Sequence, residues 1–271
     1  MILHDGHVHT PYCPHGTNDP LSDYCEKAIE LGLKGITFTE HAPLPTSFMD
    51  PTPQQDSAMK LEHLLDYFKE LKHIKETYRG KLDVLIGLEV DYIEEYEEQT
   101  KQFLNEFGHY LDDSILSVHF LKLRNDYICI DYSPEAFQDA ISKLGSIEAV
   151  YKRYLETLKK SVSVDLGRYK PKRIGHLTLV KKFKKKFPTS GFTYQDISEL
   201  LLQIKENGYT LDYNGAGTLK PLCGEPYPDT AIVQKAFQMG IPLVYGSDAH
   251  QVSGLMAGVK QLSKQVKLIK P

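Results

Sequence analysis

Seven of the eleven histidines in this 271-residue chain stand at, or just past, the point where an apolar run stops. Imidazole nitrogens with carboxylate oxygens are the donor set of catalytic zinc, manganese and iron sites, which keep a position open for water. His7 and His9 close the stretch Ile2–Thr10, and His15 follows in the next loop. In a strand, side chains two apart leave the same face, so both rings can address one ion. The event repeats five times. Gly35–Thr39 ends in Glu40-His41, Leu82–Leu88 in Glu89, and Ser114–Val118 in His119. Arg173–Gly175 ends in His176, and Ile241–Gly246 runs into Ser247-Asp248-Ala249-His250.

A barrel of parallel strands carries all such ends to one face, where the loops meet and active sites are built. Histidines placed by chance on helical surfaces would scatter, so a shared metal site is expected. The connecting segments suit this. Pro20–Leu31 has helical periodicity with Asp19 as its cap and Gly32 as its stop. Ala58–Tyr78 reads as an amphipathic helix with Leu61, Leu64, Leu65, Phe68 and Leu71 on its core side and His63 and His73 on its polar flank. Further helices are expected over 94–107, from Ser133-Pro134-Glu135, over 147–164, 193–207 and 229–239, and over 254–266 to close the wall. Tyr127–Asp131 reads as a short excursion strand, and His109 as structural. The proline-broken loop from His41 to Gln55 is long enough to be a lid or binding loop. Together these predict an α/β fold of about seven parallel strands, with residues 1–271 as a single domain.

Composition bounds the partners. At 41% hydrophobic residues the chain can bury one barrel-sized core. A formal charge of -4 gives no global attraction to nucleic acid or anionic membranes, so neither is expected as a partner and anion binding must be local. The run Lys181-Lys182-Phe183-Lys184-Lys185-Lys186 reads as a solvated helix face. Cys13, Cys25, Cys129 and Cys223 form no Cys-x-x-Cys pair and are expected reduced; Cys13 lies between two of the histidines. Residues 1–10 are too short and polar for a signal peptide, which makes the cytoplasm the default location.

Taken in order, His7-Val8-His9 with His15, Thr39-Glu40-His41, Gly87-Leu88-Glu89, Ser117-Val118-His119, Gly175-His176 and Ser247-Asp248-Ala249-His250 resemble the PHP (polymerase and histidinol phosphatase) superfamily, most of all its histidinol-phosphate phosphatase branch. The resemblance covers nearly the whole chain. It implies a distorted (β/α)7 TIM-like barrel with its metal site at the C-terminal ends of the strands, and up to three divalent ions (Zn, Mn or Fe). One would be held by His7, His9, Glu89 and Asp248, a second by Glu89, His119 and His176, a third by His15, His41 and His250. Such ions carry more positive charge than the two carboxylates offset, so the pocket prefers an anion. The activity implied is hydrolysis of L-histidinol phosphate, a small-molecule ester, by a metal-bridging hydroxide attacking phosphorus. Asp248, His41 or His250 would influence proton transfer to the departing alkoxide. Lys181 and Lys220, just past strand ends, are the expected phosphate-binding cations, with Arg173 as runner-up at the wrong end of its strand. Tyr12, Phe48 and Phe120 are candidates for the substrate pocket.

Other functions predict different features. A different phosphoesterase or a nuclease would share the metal motifs, but a nuclease needs a basic track with stacking aromatics beside the site. An amidohydrolase also opens on His-x-His, yet leaves His15, His41 and His250 unemployed as a group. A non-catalytic binding module would be expected to lose ligands, and here the set is full.

Overall fold

The computed structural model describes residues 4–271, so Ile2 and Leu3 of the expected first strand lie outside the described residues. Eight parallel strands form one curled sheet: β1 (His4–Val8), β2 (Gly35–His41), β3 (Asp83–Asp91), β4 (Asp113–Ser117), β7 (Arg173–Ile174), β8 (Thr210–Asn214), β9 (Leu243–Gly246) and β10 (Leu268–Ile269), in that order. The hairpin β5 (Phe120–Leu123) and β6 (Asp126–Cys129) is antiparallel and separate, and is the excursion expected near Tyr127. The sheet curls until its first strand meets the segment after β9. Val8 bridges Ala249 in parallel, Asp248 N donates to His7 O at 2.8 Å and His9 N to Ala249 O at 2.9 Å. Every residue of β2 is buried, as both faces of a strand must be when helices cover the outside.

β1 carries a bulge that sets the site. Asp5 pairs with Ile36 but Val8 with Phe38, so one extra residue bends the strand at Gly6-His7. Arg173 explains the glycine: a Cβ on Gly6 would lie 2.3 Å from Arg173 Nη1, while Arg173 Nη2 donates to Gly6 O at 2.8 Å. Arg173 is therefore buried in the barrel floor, paired with Asp113, and is not a phosphate ligand.

The helices are α1 (Leu21–Glu30), α2 (Leu64–Thr77), α3 (Glu97–Phe107), α4 (Pro134–Leu144), α5 (Ile147–Ser163), α6 (Tyr194–Glu206) and α7 (Thr230–Gln238). Ser133 caps α4 and Asp229 caps α7 with their side chains. Four expectations need correction. Asp19 does not cap α1; its carboxylate accepts from Val252 N at 2.8 Å. α2 starts late, after a 3-10 turn, and buries Leu64, Tyr67, Phe68, Leu71 and Ile74, leaving Leu61 and Leu65 exposed. The fifth barrel strand, β7, stops at Ile174, because the His176 N–H faces the Asp212 carboxylate at 3.5 Å instead of a neighbouring carbonyl. No helix spans 254–266: Met256 and Gly258 have φ of 63° and 70°, left-handed values that break a helix, and the 3-10 turns Val252–Gly254 and Val259–Gln261 are the only helical turns at or within this stretch.

The loop after β2 is pinned to the hairpin. Phe48 packs edge-on against Phe120, Tyr127 and Tyr96, with centroids 5.0 to 5.2 Å away, so Phe48 is core and does not line the site. Among the described residues no helix is long and apolar enough to cross a membrane.

Candidate metal centre

Strand ends bring seven histidine rings around Glu89 and Asp248. Glu89 stands near the end of β3, buried, with Oε2 3.4 Å from His7 Nε2, 3.6 Å from His9 Nε2 and 3.1 Å from His41 Nδ1. Its other oxygen, Oε1, lies 2.8 Å from His176 Nε2 and 3.8 Å from His119 Nε2, and accepts from Ser117 Oγ at 2.6 Å. Asp248 Oδ1 lies 3.2 Å from His9 Nε2 and 3.7 Å from His7 Nε2. Asp248 has φ of 57°, a strained value for a residue with a side chain, at the turn where its carboxylate faces the rings.

The third group lies beside these. His9 and His250 stack at 3.9 Å, and the His15 ring is 5.2 Å from that of His41 and 5.1 Å from that of His250. Cys13 is buried within the same group: donor atoms of His9, Cys13, His41 and His250 all lie within 4.8 Å of one another. Two further sets meet the same limit, His7, His9 and Glu89, and Glu89, His119 and His176.

The unpaired atoms test whether cations fit. His7 Nε2, His9 Nε2, His41 Nδ1 and Glu89 Oε2 are buried without a hydrogen-bond partner. Buried polar atoms left unpaired are costly and rare, and cations held among these residues would satisfy them. The remote ring nitrogens are meanwhile engaged. Nδ1–H of His7 donates to Asp212 at 2.8 Å, that of His9 to Glu40 at 3.2 Å, that of His119 to Asp91 at 2.8 Å, and that of His15 to Asp56 O at 2.9 Å. Such bonds fix the tautomer and aim the Nε2 lone pair inward. Glu40 is itself held by Thr10 N and Oγ1 and by His41 N. Asp212 and Asp91 were not predicted. The available signal was Asp91 standing two residues beyond Glu89 on one strand face, and Asp212 two before Asn214.

Electrostatics sorts the rings. Burial opposes a charge on His9, but Asp248 and Glu40 override it and raise its pKa to about 9; burial is likewise outweighed at His119 by Asp91 and Glu89, which raise it to about 10. Glu40, despite burial, is lowered to about 2 by His9, and Glu89 and Asp248 are held well below the usual range with His7 the leading attraction for each. His41 and His250 are lowered by burial and by neighbouring His9.

Beside the rings opens a cavity of about 560 Å³ whose walls include Phe120, Asp131, Tyr132, Lys182, Lys220 and Tyr227. Lys220 borders it as expected. Lys181 does not: its ammonium is bound to Asp229 at 2.6 Å, outside this wall. Lys182 takes the place, half-buried and donating to Asp131 at 2.9 Å. Burial disfavours the Lys182 charge but Asp131 more than restores it, and Lys182 in turn holds Asp131 well below the carboxylate range.

Residues 5–216 match the PHP domain family model. The chain is 51% identical over 253 residues to a protein of Bacillus subtilis named histidinol-phosphatase, covering 93% of this chain and 94% of that one. The crystal structure of hisK from Listeria monocytogenes superposes with a TM-score of 0.92 at 40% identity, over 96% of this chain and all of the other. A histidinol phosphate phosphatase of Lactococcus lactis, solved with zinc, L-histidinol and phosphate, superposes with a TM-score of 0.65 at 19% identity, over 92% and 86% of the two chains.

Proposed function

The chain belongs to the PHP domain family, and on that premise we propose that it is a metal-dependent histidinol-phosphatase. It hydrolyses L-histidinol phosphate to L-histidinol and inorganic phosphate, a step of histidine biosynthesis carried out in the cytoplasm. The observation that carries this is 51% identity to the Bacillus subtilis histidinol-phosphatase along nearly the full length of both chains.

His7, His9, Glu89 and Asp248 hold one divalent ion, Glu89, His119 and His176 a second, and His15, His41 and His250 a third. The ring of unpaired inward-facing atoms supports this. When bound, the ions supply a water-derived nucleophile near neutral pH and neutralise phosphoryl oxygens. Zinc, bound in the Lactococcus lactis structure, is the first metal to try; manganese and iron suit the same donors.

The chain's own residues do the rest. Lys182, fixed by Asp131, presents its ammonium to the phosphate, and Lys220 a second at the rim. Asp248, His41 and His250 border the cavity and are the groups placed to influence proton transfer to the departing alkoxide. Phe120 and Tyr227 offer apolar surface for the imidazole-bearing alcohol.

The test is phosphate release from L-histidinol phosphate beside sugar phosphates, nucleotides and short oligonucleotides, with protein loaded separately with each metal. A specificity constant for histidinol phosphate well above every other ester is expected. Weak, even activity across the panel would overturn the substrate assignment and leave the metal centre standing.

A further inference from the structure

A cavity of about 960 Å³ lies away from the metal centre. Lys34, Leu82, Asp83 and Asp112 on its wall stand just before or at the start of β2, β3 and β4, whereas Glu89 and His119 stand at strand ends. Six residues separate Asp83 from Glu89 along β3, so roughly 20 Å separates the two sites along the strand. Its base is apolar. Leu65, Phe68, Leu82, Val84, Ile86 and Tyr110 line it. Leu65 is 59% exposed and Tyr110 44%, and Tyr110 is stacked on Phe68 at 4.7 Å. The rim is basic. Lys75 is spoken for by Asp112 at 2.6 Å, and the acidic Asp83 by Lys270. Lys34, Lys69, Lys72, Arg79 and Lys81 have no salt-bridge partner among the described residues, and the one acid left facing them is Glu76. In a chain of net charge -4 this is a concentrated surplus.

We propose that this cavity binds an organic polyphosphate, an anion of several charges on an apolar or aromatic body, of which a nucleoside diphosphate is the size and chemistry that fit best. Several unpaired cations select a multiply charged ligand, the apolar base selects a body to cover it, and the volume is that of a small-molecule site. A concave pocket favours this over a polynucleotide.

The test uses metal-loaded protein saturated with inorganic phosphate, titrated calorimetrically with the α,β-methylene analogue of ADP, with tripolyphosphate and with a short oligonucleotide. The analogue binds at one equivalent, and K69E/K72E weakens it by about tenfold or more, as loss of several exposed charge attractions predicts. Leu65→Asn weakens the analogue but not tripolyphosphate, and neither variant alters kcat/KM for a phosphomonoester. Absence of saturable binding, an affinity unchanged in K69E/K72E, or tighter binding of the oligonucleotide would each overturn the proposal.

Discussion

Glu89 and His176 are joined directly, Oε1 to Nε2 at 2.8 Å, while the other oxygen of the same carboxylate faces His7, His9 and His41. Glu89 thus spans two groups of donors that share no other residue. Glu89→Gln is expected to lower kcat/KM by a factor of about 10³ or more, a loss of electrostatic stabilisation at least as large as that from removing one oxyanion-hole donor, and to remove at least one metal equivalent. Metal analysis beside steady-state rates checks both, with circular dichroism unchanged.

Lys182 and Lys181 separate cleanly. Lys182→Ala is expected to cut kcat/KM for phosphate esters by about 10²-fold and to weaken product inhibition by phosphate, whereas Lys181→Ala stays within about threefold. Removing Lys182 also strands Asp131, so the melting temperature falls; Lys182→Arg should restore stability and part of the activity.

The carboxylates behind the rings are positioning residues. Asp212→Asn and Asp91→Asn leave every donor in place but loosen His7 and His119. Each is expected to weaken metal binding by about 10- to 100-fold, measured by competition with a fluorescent chelator.

His4 predicts a pH dependence of stability. It is buried, with its Nε2 2.9 Å from Thr37 Oγ1, and burial, followed by the Arg173 charge, lowers its pKa from 6.5 to about 3. A ring kept neutral in the fold contributes stability that is fully present above pH 6.5 and is lost as pH falls toward about 3. At pH 5 the loss from this group is about 2 kcal/mol. His4→Gln should flatten that part of the acid limb, seen as a smaller drop in urea midpoint between pH 7.5 and 5 than in the parent protein.

Much of the site is legible in the sequence because ligand-type residues interrupt apolar runs, and parallel strands make every such end converge. His7, His119, His176 and Glu89 follow from that rule alone. What it misses has physical reasons. Asp212 and Asp91 act from inside or beside strands, where a carboxylate reads as any polar position until its partner ring is seen. Lys181 and Lys182 sit in a 3-10 turn, Leu179–Phe183, within a run of near-continuous lysine, and one residue of rotation decides which reaches the cavity. Cys13 joins the third group through a loop fold that no periodicity encodes. The absent helix over 254–266 has apolar residues enough, but Gly258 and Met256 adopt backbone angles that a helix forbids.

The most direct test of the central claim is the rate of L-histidinol phosphate hydrolysis by protein stripped with chelator and then titrated with zinc or manganese. A rate that falls to background on stripping and returns in proportion to metal equivalents bound is the predicted result. Full activity in the stripped protein, or metal uptake that restores no hydrolysis of this ester, would contradict it.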